Sequence, residues 1–163
     1  MSTSRIVLAT AVALAAAVCT PLLTAPTAAA APAKLADDFN GDGHRDFVML
    51  GGTHGKDGRV TVVYGTSTGP GTRVQTIHQD SPGIPGAVEK GDSWGFAATS
   101  ADLDRDGYAD LIVDTNEQLD NTRWGMVHLL KGSKTGITGT GSKTFTVNSL
   151  KLSYKNLGGP FPH

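Results

Sequence analysis

A chain of 163 residues is long enough for one modest domain, and 14 Lys plus Arg against 15 Asp plus Glu leave it with a net charge of −1. That balance excludes a polyanion-binding surface spread over the whole molecule, so no nucleic-acid partner is expected. Charged residues are only 18% and glycines number 21, which favours turn-rich β structure over a helical bundle. Of the acids, 13 are Asp and only Glu89 and Glu117 are Glu. Asp favours turns and caps whereas Glu favours helices, so the acidity belongs to loops.

Residues 1–30 read as a secretory signal peptide. Arg5 precedes an apolar run from Ile6 to Val18, and small residues accumulate from Thr24 to Ala31. The run is too short for a comfortable membrane span, and Ala28-Ala29-Ala30 supplies a cleavage site, with the break placed after Ala30. The mature chain is therefore expected to be extracellular and to carry no membrane span. Cys19, the only cysteine, falls within this segment, which leaves the mature chain without a thiol or disulfide. Val18 is bulkier than a lipoprotein-type cleavage site accepts, which argues against lipid attachment at Cys19.

After a short linker, residues 31–36, the chain contains two near-copies of one acidic loop. The first is Asp38-Phe39-Asn40-Gly41-Asp42-Gly43-His44-Arg45-Asp46; the second, Asp102-Leu103-Asp104-Arg105-Asp106-Gly107-Tyr108-Ala109-Asp110, begins 64 residues later. Each leads into a strand-like run, Phe47 to Leu50 and Leu111 to Val113, then a polar turn, then a second run, Val60 to Tyr64 and Met126 to Leu130. Gly65-Thr66-Ser67-Thr68-Gly69 then corresponds to Gly132-Ser133-Lys134-Thr135-Gly136, an offset of 67. Arg73 to His78 reads as a third strand with a counterpart around Thr144 to Val147, and Phe96 to Ala101 leads into the second acidic loop. Self-similarity at this spacing marks a repeat, with residues 37–90 and 91–150 as its two copies and 151–163 as a tail. About four strands per copy is the pattern of a β-propeller blade, which hides its faces by stacking on neighbours.

Oxygen donors at loop positions 1, 3, 5 and 9, with Gly at 6, suit a hard cation, and Ca²⁺ with its six to eight tolerant oxygen ligands fits better than Mg²⁺. Two calcium sites are expected. The ligands of the earlier loop are Asp38, Asn40, Asp42, Asp46 and the His44 carbonyl; those of the later are Asp102, Asp104, Asp106, Asp110 and the Tyr108 carbonyl. Four carboxylates against three plus an amide predict tighter binding at the later loop. An EF-hand would need an acid at position 12, where Met49 and Val113 stand.

These loops and the segments around them resemble the FG-GAP repeat family, the blades of integrin alpha-chain propellers and of many secreted bacterial proteins. Gly91-Asp92-Ser93-Trp94-Gly95 is similar to the family's opening segment, with Trp94 in place of Phe; Asp110-Leu111-Ile112-Val113 and Trp124-Gly125-Met126-Val127 resemble the strands that follow. The first copy has no upstream Phe-Gly segment, and Asp114-Thr115-Asn116 stands where the family has Gly-Ala-Pro. The resemblance implies an all-β chain of about two four-stranded blades of an integrin-alpha-like propeller. Family rings close with about seven blades, so an incomplete ring is expected, with Gly158-Gly159-Pro160-Phe161 as a remnant of a third repeat. It also implies a structural or adhesion-like module without catalysis, for a protein or glycan ligand not named by the sequence. Open blade edges further predict self-association.

The competing reading is an extracellular hydrolase, or the non-catalytic accessory part of one. Residues 65–69 and 91–95 both match Gly-x-Ser-x-Gly, but a nucleophile elbow needs a helix after the serine, and Pro70-Gly71 and the run at Phe96 follow instead. His54, His78, His128 and His163 are scattered without metal-ligand spacing and read mostly as surface residues. Trp94 and Trp124 read as packing anchors rather than a sugar platform, and Asp57-Gly58 as a hairpin turn.

Overall fold

The computed structural model describes residues 30–51, 58–89, 91–119 and 124–157. The signal segment up to Ala29, His54, Asp57, the 158–161 segment and His163 lie outside the described residues. Among the described residues all the regular elements are strands: β1 (Phe47–Gly51), β2 (Arg59–Thr66), β3 (Gly69–His78), β4 (Ser93–Ala101), β5 (Asp110–Gln118), β6 (Trp124–Lys131) and β7 (Thr138–Thr146). They make two antiparallel sheets in chain order, β1-β2-β3 and β4-β5-β6-β7, and neither closes into a barrel. Among the described residues no helix is long and apolar enough to cross a membrane.

The chain is thus all-β, with an arrangement consistent with part of a propeller. The first sheet has three strands rather than the four expected per copy. Among the described residues no strand stands as the counterpart of β4, and the sequence before Asp38 has no segment like Ser93-Trp94-Gly95-Phe96.

Alternation decides which faces meet. In β2, Val60, Val62 and Tyr64 are buried while Thr61 and Val63 between them are half-buried, as expected of a pleated strand with one core face. In the second sheet Leu111, Val113 and Leu130 are fully buried. Together with Ile77, Trp94, Ile137, Phe39 and Ala109 these form a single apolar cluster between the sheets. Burying each Val, Leu or Ile side chain contributes about 1.5–3 kcal/mol, so this seam is the main source of cohesion.

Register is conserved along with order. Val48, Val62 and Gln75 lie side by side across the first sheet, and Ile112, Leu129 and Lys143 across the second. The rows Leu50–Val60–Ile77 and Asp114–Val127–Phe145 correspond in the same way.

Candidate metal centre

Both acidic loops are built by the same hydrogen bonds. The position-1 carboxylate accepts the amides of positions 5 and 6: Asp38 from Asp42 (3.1 Å) and Gly43 (2.8 Å), Asp102 from Asp106 (3.2 Å) and Gly107 (3.1 Å). The position-5 carboxylate accepts the amide of position 7, from His44 to Asp42 at 2.9 Å and from Tyr108 to Asp106 at 3.0 Å. Such Asx-type turns are what short acidic side chains offer the backbone in place of a ladder. Positions 4 and 6 both take a left-handed backbone: φ is 70° at Gly41 and 61° at Arg105, 85° at Gly43 and 94° at Gly107. Arg105 holds that conformation with a side chain, at a cost of about 1–2 kcal/mol.

Position 9 has a structural role. Asp46 accepts the Phe39 amide (2.9 Å) on one oxygen and the Gly65 amide (2.8 Å) on the other; Asp110 does the same with Leu103 (3.3 Å) and Gly132 (3.1 Å). Both carboxylates are buried and tie the loop to the end of the neighbouring strand. Close approach requires glycine at Gly65 and Gly132, because a Cβ there would overlap the carbonyls of Arg45 and Ala109 respectively.

The loops are also neighbours. The Ala109 amide donates to the Asp38 carbonyl at 2.9 Å, and the Tyr108 ring lies over Gly41. From the linker, the Ala33 amide donates to Asp102 at 2.6 Å. Neither this contact nor its consequence for Asp102 was visible in the repeat, because residues 31–36 have no obvious counterpart before the second loop.

At the centre of each loop the copies diverge. Ligand atoms of Asp102, Asp104 and Asp106 all lie within 4.8 Å of one another. Two oxygens on one Ca²⁺, each at about 2.4 Å, are at most about 4.8 Å apart, so this all-oxygen, partly exposed set fits a hard divalent cation. Asp110 lies outside that group of three, and its oxygens accept from the Leu103 and Gly132 amides and from Lys131. Lys131 Nζ is 2.6 Å from Asp104 and 2.8 Å from Asp110. In the earlier loop Asn40 Nδ2 donates to Asp42 (2.8 Å) while Asn40 Oδ1 accepts the Asp42 amide (3.1 Å), so the amide side chain occupies an oxygen that a cation would need.

Electrostatics follow from these contacts. Burial raises the Asp102 carboxyl, but amides from Ala33, Gly107, Arg105 and Asp106 outweigh it and hold the group below the usual carboxylate range. Asp46 goes the other way: burial dominates over its Gly65 and Phe39 donors, and Asp42 and Asp38 add repulsion, so its pKa is raised. Burial works against the charge on Lys131, yet Asp104 and Asp110 outweigh it and raise its pKa.

Lys131 is the site residue that sequence reading missed. Its counterpart 67 residues earlier is Tyr64, so repetition gave no signal; only its position next to Gly132, whose own counterpart follows a strand toward the loop, pointed there.

The hydrolase motifs fall in other settings. Residues 65–69 form the β2–β3 turn, where Thr66 Oγ1 donates to the Gly69 carbonyl at 2.8 Å, and Ser133 repeats that bond to Gly136 at 2.7 Å. Ser93 lies at the start of β4. His128, expected at the surface, is fully buried: its ring stands between Thr115 Oγ1 and the Pro85 carbonyl, both at 3.1 Å, and meets the Trp94 ring edge-on at 6.0 Å. Trp94 is a buried packing anchor, while Trp124 is 39% exposed.

Residues 38–113 match the family model described as FG-GAP-like repeat. The chain carries an FG-GAP-like repeat. The matched span runs from the first acidic loop through the first sheet and β4 to Val113 of β5, so both acidic loops lie inside the FG-GAP-like segment. Repeats of this family are typically non-enzymatic interaction modules. No curated protein and no solved structure matches the chain.

Proposed function

We propose that this is a secreted, calcium-binding FG-GAP repeat protein that serves as a structural or interaction module, without catalysis, for a protein or glycan ligand. Two ions are assigned, one per loop: Asp38, Asn40, Asp42, Asp46 and the His44 carbonyl around the first, Asp102, Asp104, Asp106, Asp110 and the Tyr108 carbonyl around the second. The observation that carries the reading is the convergence of Asp102, Asp104 and Asp106 within 4.8 Å. Carboxylates so close repel one another, and a divalent ion converts that repulsion into attraction. Export supports the choice of calcium, because extracellular calcium modules work with affinities of about 10⁻⁴–10⁻³ M.

Calorimetric titration of chelator-treated protein tests it. Calcium should bind, with Asp104→Ser removing the later site and Asp42→Ser the earlier, while equimolar magnesium competes weakly. No calcium-dependent heat in the unaltered protein would overturn the proposal.

A further inference from the structure

The repeat register identifies what each outward face of the two-sheet stack is made to meet. Inside the molecule, the face of the first sheet carrying Val60, Val62 and Ile77 packs on the face of the second carrying Leu111, Val113 and Leu130. The rows of the outer face of the first sheet are Phe47–Val63–Val74 and Met49–Thr61–Thr76. Their counterparts in the second sheet begin with Leu111 beside Leu130 and Val113 beside His128, which are the buried face of that inner seam. Phe47, Met49 and Val74 are nonetheless 42%, 51% and 56% exposed.

The opposite end of the stack has the complementary character. The rows on the other face of the second sheet, Ile112–Leu129–Lys143 and Asp114–Val127–Phe145, of which Asp114 is buried, are counterparts of Val48–Val62–Gln75 and Leu50–Val60–Ile77, the rows that receive the second sheet within the chain. Phe39 and Leu103 share position 2 of the acidic loop; Phe39 is fully buried in the apolar cluster, whereas Leu103 is 54% exposed. Beside Leu103 a cleft of about 570 Å³ is lined by Leu129, Lys131 and Lys143.

From this continuity with the intramolecular seam we infer that a second copy of the chain docks head to tail, the Phe47/Met49/Val74 face of one molecule seating on the Leu103/Leu129 face of the next. Each face meets the kind of surface that its counterpart already meets inside the molecule. Polar matching is retained as well: Gln75 Nε2 donates to the Ile137 carbonyl across the inner seam, and Lys143, its counterpart, keeps a donor in that row. Because the two faces differ, the contact is heterologous and propagates to rings or open stacks rather than stopping at a symmetric dimer.

Sedimentation velocity of the purified protein in calcium, over a dilution series, tests this with Phe47→Lys and Leu103→Gln, both at exposed positions. Circular dichroism confirms that each variant keeps the β-sheet fold. The unaltered chain should form dimers and larger species as concentration rises, and each variant alone should remain a monomer. An equimolar mixture of the two should give a dimer that grows no further, since each contributes its one intact face. A monomer at every concentration for the unaltered chain, a mixture that stays monomeric, or undiminished association of Leu103→Gln would each overturn the inference. Calcium binding measured on the same samples reports separately on the metal loops.

Discussion

The ammonium of Lys131 stands 2.6 Å from a carboxylate oxygen of Asp104, so the later loop already holds a tethered cation. Its four carboxylates less this one positive charge match the three carboxylates of the earlier loop. The charge advantage expected of the later loop is thereby cancelled. Replacing Lys131 by Met should raise calcium affinity there by roughly five- to thirty-fold, or about 1–2 kcal/mol, a modest value because Asp104 is half exposed and its interactions are screened. Isothermal calorimetry on Lys131→Met reads this directly; unchanged affinity would show that the ammonium swings clear without cost when the ion binds.

Asp46 should matter to stability even where no ion is bound. Its removal leaves the Phe39 and Gly65 amides without their acceptor in a buried place. Asp46→Ala is therefore expected to lose roughly 2–4 kcal/mol in chelator, against less than about 1 kcal/mol for Asp42→Ala at an exposed position. Urea denaturation with chelator present measures both.

Much of this was legible in the sequence, and the reasons are local. Asp and Gly at fixed loop positions dictate the Asx-type turns without help from tertiary contacts, and the 64- and 67-residue offsets between copies reappear as matched strand registers. The three-strand first sheet was not foreseen: repetition led to four strands per copy, although no Phe-Gly segment stands before Asp38 to start the fourth. What stayed hidden depends on distant partners. Lys131 differs from its counterpart Tyr64, so its ion pairs arise from one copy only. His128 is polar by composition, yet a hydroxyl and a carbonyl satisfy both ring nitrogens and allow it inside. The left-handed Arg105 stands where the other copy uses Gly41, a substitution that sequence alone reads as an ordinary exposed arginine.

Acid should loosen the seam through His128. Burial pushes its pKa down to about 4 from an ordinary 6.5, and the Pro85 contact offsets this only in part. A group depressed on folding contributes stability that is complete above pH 6.5 and is lost as pH falls through 4. Thermal melts should show this decline, and His128→Gln, though less stable at neutral pH through its lost contact with Trp94, should show a flatter profile between those limits.

Glu117 acts with the opposite sign. Desolvation first, then Asp92 and Glu89, push its pKa up to about 7 from 4.5, against a weak hydrogen bond from Gln79. Its contribution is complete below pH 4.5 and disappears as pH rises through 7. Glu117→Gln, a mimic of the protonated acid, should match the unaltered protein at pH 4.5 and exceed it at pH 8 by about 1 kcal/mol, a figure reduced for partial solvent exposure. Chemical denaturation at the two pH values decides it.

Anomalous diffraction from crystals soaked in terbium addresses the metal loops most directly. A peak bounded by Asp102, Asp104 and Asp106 is expected, with a second beside Asp38 and Asp42. Flat anomalous density at both places would mean that these loops are held by their own amides and by Lys131 alone, and that the protein is not a calcium-binding module.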